Sequence, residues 1–209
     1  MSKIEIKNIV LGGVSTNVYF AMNSDTKELL IIDPADDFSA IDRQVTKMGG
    51  KPVAILLTHG HFDHILAADE CRRQYGIKIY AHKAEAAVLE DSSVNLSASW
   101  ARACICKADE FLDDDEVIEL AGFSIKVLHT PGHTCGSVCY YIESEQVLFS
   151  GDTLFSQSYG RTDMPTSSSR DMRDSIKRLV SELPEKTDVY PGHDMSTTIA
   201  VEKRYNPLA

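Results

Sequence analysis

The sequence lacks any segment apolar enough to place the protein in a membrane. No run of about 18 apolar residues occurs in its 209 positions, so no transmembrane helix is predicted. Residues 1–7 alternate charged and apolar side chains without a continuous apolar core, which is not the pattern of a signal peptide. We therefore expect a cytoplasmic protein with no membrane partner.

Positive charge is scarce as well. Lysine and arginine together number 21, against 31 aspartates and glutamates, and the formal net charge is −10 at pH 7. An acidic protein repels the phosphate backbone of DNA and RNA, so the composition disfavours a nucleic-acid partner. The five cysteines are an odd number, and without an export signal they indicate reduced thiols rather than a disulfide framework. None of these features predicts an oligomeric state.

The remaining composition is that of an ordinary folded domain, with 43% hydrophobic and 25% charged residues and no internal repeat. We predict a single domain that spans residues 1–209. Apolar periodicity predicts strands first, then alternating strands and helices, then strands again, and finally a helix and a strand. This order is typical of the α/β class and suggests two sheets covered by helices on their outer faces.

The element boundaries follow from the same periodicity and from the turn residues between the apolar segments. The predicted strands cover residues 4–11, 17–22, 28–32, 53–57, 77–81, 117–120, 123–128, 137–142, 146–149 and 187–190. The predicted helices cover residues 38–48, 65–75, 83–90 and 171–182. Residues 91–107, which include the only tryptophan, have no clear period, and we expect them to form either a pocket wall or a subunit contact.

Residues 58–64, with the sequence THGHFDH, concentrate side chains that bind metals. Directly after a predicted strand they supply three imidazoles and one carboxylate, namely His59, His61, Asp63 and His64. Imidazole nitrogen and carboxylate oxygen suit zinc, iron or manganese. Gly60 gives the backbone the freedom that lets His59 and His61 converge. Asp63 and His64 lie at the start of a predicted helix and can face a second centre. Without a metal, these groups would have to tolerate one another's charges, so we interpret the segment as a metal site.

Three later residues follow the same design of apolar strand, glycine or proline-glycine turn, and candidate ligand. They are His133, Asp152 and His193. Loops at the ends of rigid strands are where binding and catalytic side chains are usually mounted. His82 and His129 lack such a turn, and we interpret them as ordinary polar residues, with a supporting role near the site as the alternative for His129.

Taken together, these residues resemble the signature of the metallo-β-lactamase superfamily. The resemblance spans nearly the whole chain, and it implies a four-layer αβ/βα sandwich. Within the superfamily, further segments are similar to glyoxalase II-like (hydroxyacylglutathione hydrolase-like) thioesterases. These segments are TPGHT at 130–134, FSGD at 149–152, GRTD at 160–163 and YPGH at 190–193.

The resemblance implies two divalent metal ions, zinc first, with iron and manganese as alternatives. The implied ligands are His59, His61 and His133 for one ion, and Asp63, His64 and His193 for the other. Asp152 would bridge the two ions, and Asp33 would play a structural part without binding metal.

The same resemblance implies hydrolysis of a small-molecule thioester by a hydroxide shared between the ions. The first ion would polarise the carbonyl, and the second would stabilise the leaving thiolate. Asp63 would orient the hydroxide and transfer a proton. Cys135 has no base partner in its sequence surroundings, so we do not expect a cysteine nucleophile. Arg161 is a candidate contact for a substrate anion, with an ion pair to Asp163 as the structural alternative. Met195 occupies a position where those enzymes usually carry a tyrosine.

Other functions remain open from the sequence. A mononuclear iron persulfide dioxygenase would use two histidines and one carboxylate, and the candidates are His59, His133 and Asp152. A lactonase or a β-lactamase is compatible with the superfamily, because a fold does not determine a substrate. A non-catalytic metal-binding module is disfavoured, since no ligand of the set is missing.

Overall fold

The computed structural model describes residues 3–209, and within them two six-stranded sheets dominate the fold. Residues 1 and 2, which open the predicted domain and the N-terminal segment judged not to be a signal peptide, lie outside the described residues. In spatial order, the first sheet contains β1 (Ile4–Leu11), β2 (Thr16–Asn23), β3 (Glu28–Ile32), β4 (Lys51–Leu56), β5 (Lys78–His82) and β6 (Glu110–Leu112).

The second sheet comes mainly from the later half of the chain. In spatial order from one edge to the other, it contains β7 (Val117–Leu120), β8 (Phe123–His129), β9 (Val138–Ile142), β10 (Val147–Gly151), β13 (Asp188–Pro191) and β14 (Thr197–Thr198). A small hairpin formed by β11 (Leu154–Phe155) and β12 (Ser158–Tyr159) stands beside it. The α-helices are α1 (Phe38–Met48), α2 (Phe62–Ile65), α3 (Ala68–Tyr75), α4 (Ala86–Leu89), α5 (Ser97–Trp100), α6 (Ser169–Glu182) and α7 (Ile199–Tyr205).

Three apolar clusters separate four layers. One cluster joins α1 and α3 to the outer face of the first sheet and includes Ile41 and Cys71. A second fills the space between the sheets and includes Tyr140 and Phe149. A third joins the second sheet to α6 and includes Met172. Burying one such large apolar side chain contributes about 1.5–3 kcal/mol, so the three clusters hold the layers together. The order of the layers is helices, sheet, sheet and helices, which confirms the predicted αβ/βα sandwich.

Strand β2 shows how the sequence produces this layering. Successive side chains of a strand point to opposite faces of its sheet. Phe20 and Met22 accordingly enter the cluster under the helices, whereas Tyr19 and Ala21 enter the cluster between the sheets. Every residue of β2 is therefore buried, as expected of a central strand that is covered on both faces.

Parallel pairing brings the candidate ligands to one edge. Strands β3, β4 and β5 are parallel neighbours in the first sheet, and β10 and β13 are parallel neighbours in the second. Segments that follow the carboxyl ends of parallel strands gather at the same edge of a sheet. The two sheets are joined there by a hydrogen bond from the Val138 N–H to the Thr58 carbonyl at 2.9 Å.

Several boundaries differ from the sequence prediction for local reasons. The helix predicted at 65–75 is two helices, α2 and α3, and the one predicted at 83–90 is a 3-10 turn (Lys83–Glu85) followed by α4. Strand β4 begins at Lys51 and so includes Pro52, which pairs with Leu29. The next pair is Leu30 with Ala54, so the ladder shifts register at Val53 of β4. Strands β6 and β14 and helix α7 were not predicted, because each is too short to show a clear period. Among residues 3–209, no helix is both long and apolar enough to cross a membrane.

Candidate metal centre

Asp33, at the end of β3, anchors the loop that follows β4. Its carboxylate accepts hydrogen bonds from the Thr58 backbone N–H at 2.8 Å and from the Thr58 hydroxyl at 2.6 Å. The same carboxylate lies 2.9 Å from Nδ1 of His64. Asp33, His59 and His64 also lie within ligand distance of one another, but the oxygens of Asp33 are already engaged in these bonds. Asp33 therefore orients His64, whose Nε2 is left to face the centre.

The first group of candidate ligands comes from both sheets and consists of His59, His61 and His133. All three are buried, and each offers one nitrogen within 4.8 Å of the others. Nδ1 of His61 lies 2.8 Å from Nε2 of His133. The other ring nitrogen of His133, Nδ1, donates to the Arg161 carbonyl at 2.8 Å, which directs Nε2 into the group. Such an outer hydrogen bond fixes the orientation of an imidazole ligand.

The second group consists of Asp63, His64 and His193, which also lie within ligand distance of one another. Oδ2 of Asp63 lies 3.4 Å from Nε2 of His64 and 3.3 Å from Nε2 of His193. The hydroxyl of Thr16, at the start of β2, donates to the same oxygen of Asp63 at 2.8 Å. This group is therefore assembled from β2, α2 and the loop after β13.

Asp152 lies between the two groups and contacts both. Its Oδ2 is 3.4 Å from Nε2 of His133 and 3.4 Å from Nε2 of His193, while its Oδ1 is 3.5 Å from Nε2 of His64. It follows Gly151, whose left-handed φ of 48° turns the chain at the end of β10. The structure thus brings all seven candidate ligands together, with Asp152 between the two groups.

Unpartnered buried atoms show that these residues fit metal ions. Within residues 3–209, the buried atoms without a hydrogen-bond partner include Nε2 of His59, Nε2 of His64 and Oδ1 of Asp152. Leaving one such atom buried and unpaired costs about 1–3 kcal/mol. Their concentration in one place is explained if divalent cations satisfy them, because nitrogen and oxygen donors of this kind are the ligands such cations take.

The electrostatics of the two groups differ. Burial and the neighbouring imidazoles lower the pKa of His61 to about 3 and that of His59 well below its usual value, so both rings are neutral, as ligands must be. Burial would raise the pKa of Asp63, but His64 and hydrogen bonds outweigh it and lower the value to about 2. Burial likewise opposes the charge of His193, yet the adjacent carboxylates raise its pKa to about 11. The carboxylates therefore create a region that favours positive charge.

Glu85 is a supporting residue that sequence reasoning missed. It lies in the 3-10 turn after β5 and is only 1% exposed. Its Oε1 accepts from the Gly60 N–H at 2.7 Å and its Oε2 accepts from the Thr134 hydroxyl at 2.9 Å. Burial raises its pKa to about 7 in spite of these bonds. The carboxylate thus ties the loop that carries the first two histidines to the loop that carries His133, and a lone glutamate in a predicted helix gave no signal of this.

A cavity of about 350 Å³ opens beside the second group. It is lined by Val14, Phe62, Asp63, Leu96, Trp100, Arg161, Asp163, Met164, Pro165 and His193. Residues 91–107 therefore contribute to the pocket wall, through Leu96 and Trp100. Arg161 lies at this cavity and makes the ion pair that was its structural alternative, with Nε 2.6 Å and Nη2 2.8 Å from the two carboxylate oxygens of Asp163.

The other candidates lie outside the centre. His82 and His129 stack on each other with ring centroids 4.0 Å apart and do not join either ligand group. The thiol of Cys135 donates to the Ala84 carbonyl at 3.3 Å, and burial raises its pKa, which keeps it in the un-ionised form. Met195 is 71% exposed.

A family model for the metallo-beta-lactamase superfamily matches residues 11–193, which is most of the chain. The chain belongs to the metallo-β-lactamase superfamily. The probable metallo-hydrolase YqgX of Bacillus subtilis is 36% identical over 204 residues, which cover 97% of this chain and 96% of that protein. The hydroxyacylglutathione hydrolase GloC of Haemophilus influenzae is 32% identical, and the alignment covers 88% of each chain. This member of the superfamily is accordingly a metallo-hydrolase.

Solved structures of the metallo-β-lactamase superfamily share its fold. The BLEG-1 B3 metallo-beta-lactamase superimposes with a TM-score of 0.91, at 42% identity over 97% of this chain and 98% of that one. TTHA1623 in a di-iron-bound form gives a TM-score of 0.85, at 32% identity over 97% and 100% of the two chains. ETHE1 from Myxococcus xanthus gives 0.78, at 27% identity over 97% and 83%. The chain therefore shares the metallo-β-lactamase fold with these proteins.

Gly192→Ala is expected to disturb this metallo-β-lactamase-like centre without removing a ligand. A Cβ at this position would overlap Oδ1 of Asp152 and would lie 2.8 Å from Cε1 of His64. Overpacking of this kind typically costs about 1–3 kcal/mol, so we expect a lower free energy of unfolding and weaker metal binding. Chelator competition and denaturant unfolding measure the two effects. Gly13→Ala is the control, because its Cβ meets nothing within 4 Å, and a Gly192→Ala protein with unchanged metal affinity would contradict the prediction.

Proposed function

We propose that the protein is a binuclear metal-dependent hydrolase of small acyl thioesters. The observation that carries the proposal is the position of Asp152 between two complete ligand groups, with Nε2 of His59 and of His64 buried without hydrogen-bond partners. The assignment is His59, His61 and His133 for one ion, Asp63, His64 and His193 for the other, and Asp152 for both. Zinc is the first choice of metal, and iron is the second because a relative of 32% identity binds two irons.

Two divalent ions, when bound, supply Lewis acidity for a carbonyl and lower the pKa of a bound water toward about 7. The side chains would supply the proton transfer and the exclusion of solvent. Asp63, held by the Thr16 hydroxyl, lines the cavity and can accept a proton from the attacking water. The buried histidines exclude bulk solvent from their side of the centre, so the substrate enters from the cavity side, where Asp63 and His193 are reached first.

The thioester part of the proposal rests on two similarities. The segments at 130–134, 149–152, 160–163 and 190–193 are similar to those of glyoxalase II-like enzymes, and GloC is a hydroxyacylglutathione hydrolase of 32% identity. The relative named a B3 metallo-beta-lactamase is 42% identical, so β-lactam hydrolysis is an activity to be assayed in parallel.

Persulfide oxidation at a single iron is the second candidate function. It is favoured by the similarity to ETHE1. The ligands would be His59, His133 and Asp152. Nε2 of His133 lies 3.4 Å from Oδ2 of Asp152. Two histidines and one carboxylate are the ligand set of iron oxygenases.

Metal content and activity of the purified protein separate these functions. We expect about two ions per chain by elemental analysis, together with hydrolysis of a thioester panel that a chelator abolishes and added metal restores. One iron per chain with oxygen uptake on a persulfide and no thioester turnover would overturn the proposal in favour of the dioxygenase. Two ions with β-lactam turnover and no thioester turnover would overturn the substrate assignment alone.

A further inference from the structure

The cavity beside the second ligand group has an apolar wall. Its apolar residues come from four separate segments, and they are Val14, Phe62, Leu96, Trp100, Met164 and Pro165. Trp100 is 66% exposed and Val14 is 42% exposed, although both side chains are large and apolar. Exposed apolar surface that adjoins a catalytic centre is typical of a ligand-binding site. The wall therefore predicts an apolar group on the ligand.

The segment that carries Trp100 is held in place by specific bonds. Leu96 has a left-handed φ of 68°, a conformation that is rare for a bulky side chain. Its carbonyl accepts from the Trp100 N–H at 3.1 Å. The side chains of Asn95 and Ser97 both donate to the Cys104 carbonyl, at 2.9 and 3.0 Å. Trp100 is thus presented at the cavity by an ordered turn.

Charge at the cavity does not favour a carboxylate ligand. The charged or titratable lining residues are Asp63, Arg161, Asp163 and His193. Arg161 is held bidentately by Asp163, through Nε at 2.6 Å and Nη2 at 2.8 Å, so its charge is balanced and one edge of its guanidinium is occupied. The chain as a whole carries a net charge of −10. A peptide thiol with free carboxylates, such as glutathione, would find no unbalanced arginine or lysine among these lining residues.

The cavity lies on the side of the centre where the leaving group is expected. Asp63 and His193 line it, whereas the histidines of the first group do not. In the proposed mechanism Asp63, His64 and His193 would hold an ion that would stabilise a leaving thiolate. The group attached to that sulfur therefore projects into the apolar cavity.

We propose that the thiol part of the substrate is apolar and uncharged and packs on Trp100. This inference rests on the proposed thioester hydrolysis. Water supplies the oxygen of the new C–O bond, the C–S bond breaks, one proton of the water ends on the thiol, and the carboxylic acid product ionises. Arg161, balanced by Asp163, offers no unpaired positive charge to thiols that carry carboxylates.

Matched thioesters test the inference directly. One acyl group is linked either to 2-phenylethanethiol or to glutathione, and kcat/KM is measured for both. Placing or removing a small apolar group in a pocket changes kcat/KM by about 10–200-fold, so we expect at least about a 10-fold preference for the phenylethyl thioester. Trp100→Ala should lower kcat/KM for that substrate by about 10-fold and the glutathione value by less than about 2-fold, whereas Trp100→Phe keeps the preference. A preference for the glutathione thioester, or equal losses for both in Trp100→Ala, would overturn the inference.

Asp163→Asn gives an opposite test, because it frees the Arg161 guanidinium. We expect this variant to have a higher kcat/KM for the glutathione thioester, which would reduce the preference for the phenylethyl thioester. A gain of the same size for the phenylethyl thioester would contradict the charge argument.

Fluorescence of Trp100 keeps the inference testable if no thioester is hydrolysed. It is the only tryptophan of the chain, so its emission reports binding at this wall. Titration of the metal-loaded protein with free 2-phenylethanethiol should change the emission at a lower concentration than titration with glutathione. Both ligands carry a thiol group, so the difference reports how the rest of each molecule binds. That result without turnover would reject the proposed function and retain the apolar site. Turnover with tighter binding of glutathione would reject the apolar site and retain the proposed function.

Discussion

Asp152→Asn is expected to abolish hydrolysis and to lower the metal content from about two ions per chain toward one. Asp152 contacts His133 in one group and His64 and His193 in the other, at 3.4–3.5 Å. Asparagine keeps the shape but removes the charge and replaces one oxygen by an amide nitrogen, which cannot bind a cation. Loss of a single oxyanion donor already costs about 10²–10³-fold, so loss of a bridging ligand should lower kcat/KM by more than about 10³-fold.

Elemental analysis and kcat/KM, measured on the same preparation, check this prediction. Asp174→Asn is the matched control, because Asp174 is exposed, lies on α6 and takes no part in either ligand group. We expect the control to keep both ions and full activity. If Asp152→Asn retained two ions and activity within about tenfold of the parent, the bridging role would be wrong, since a bridging ligand acts on both ions.

The sequence predicted the location of the centre because strand order and ligand position follow local rules. Apolar strands that end in glycine or proline-glycine turns were recognisable around His133, Asp152 and His193. These turns meet at one edge because β10 and β13 are parallel neighbours, and because β8 and β10 both pair antiparallel with β9 and so run in the same direction. The THGHFDH segment needed no tertiary information, since its ligands are neighbours in the chain. The αβ/βα layering followed from the family resemblance more than from periodicity, which indicated the α/β class and only suggested two sheets covered by helices.

What the sequence did not predict depends on contacts between distant segments. The apolar wall joins Val14, Trp100 and Met164, which are far apart in the chain and carry no shared pattern. Arg161 was given two roles, and only the structure shows its pairing with Asp163. Short elements such as α7 are stabilised by tertiary packing, here Ile199 in the cluster under α6, rather than by their own propensity.

Glu85→Leu is expected to weaken both folding and metal binding, although Glu85 belongs to neither ligand group. The carboxylate accepts from the Gly60 N–H and from the Thr134 hydroxyl, and the Gly136 N–H also donates to it. Leucine has a similar size but leaves these buried donors unpaired, at about 1–3 kcal/mol each, so the free energy of unfolding should fall by about 3 kcal/mol or more. Loss of a residue that supports ligands typically lowers metal affinity by about 10–100-fold.

Glu85→Gln separates positioning from a general loss of stability. Glutamine keeps one acceptor oxygen and turns an amide group toward the remaining donors, so it should restore part of the stability and part of the metal affinity lost in the leucine variant. Glu90→Gln is the control, because Glu90 is exposed at the end of the next helix. Denaturant unfolding of the metal-free protein and chelator competition of the loaded protein give the two quantities. If Glu85→Leu lost stability but bound metal with the affinity of the parent, Glu85 would support the fold alone, because the loops it joins would hold His59, His61 and His133 without it.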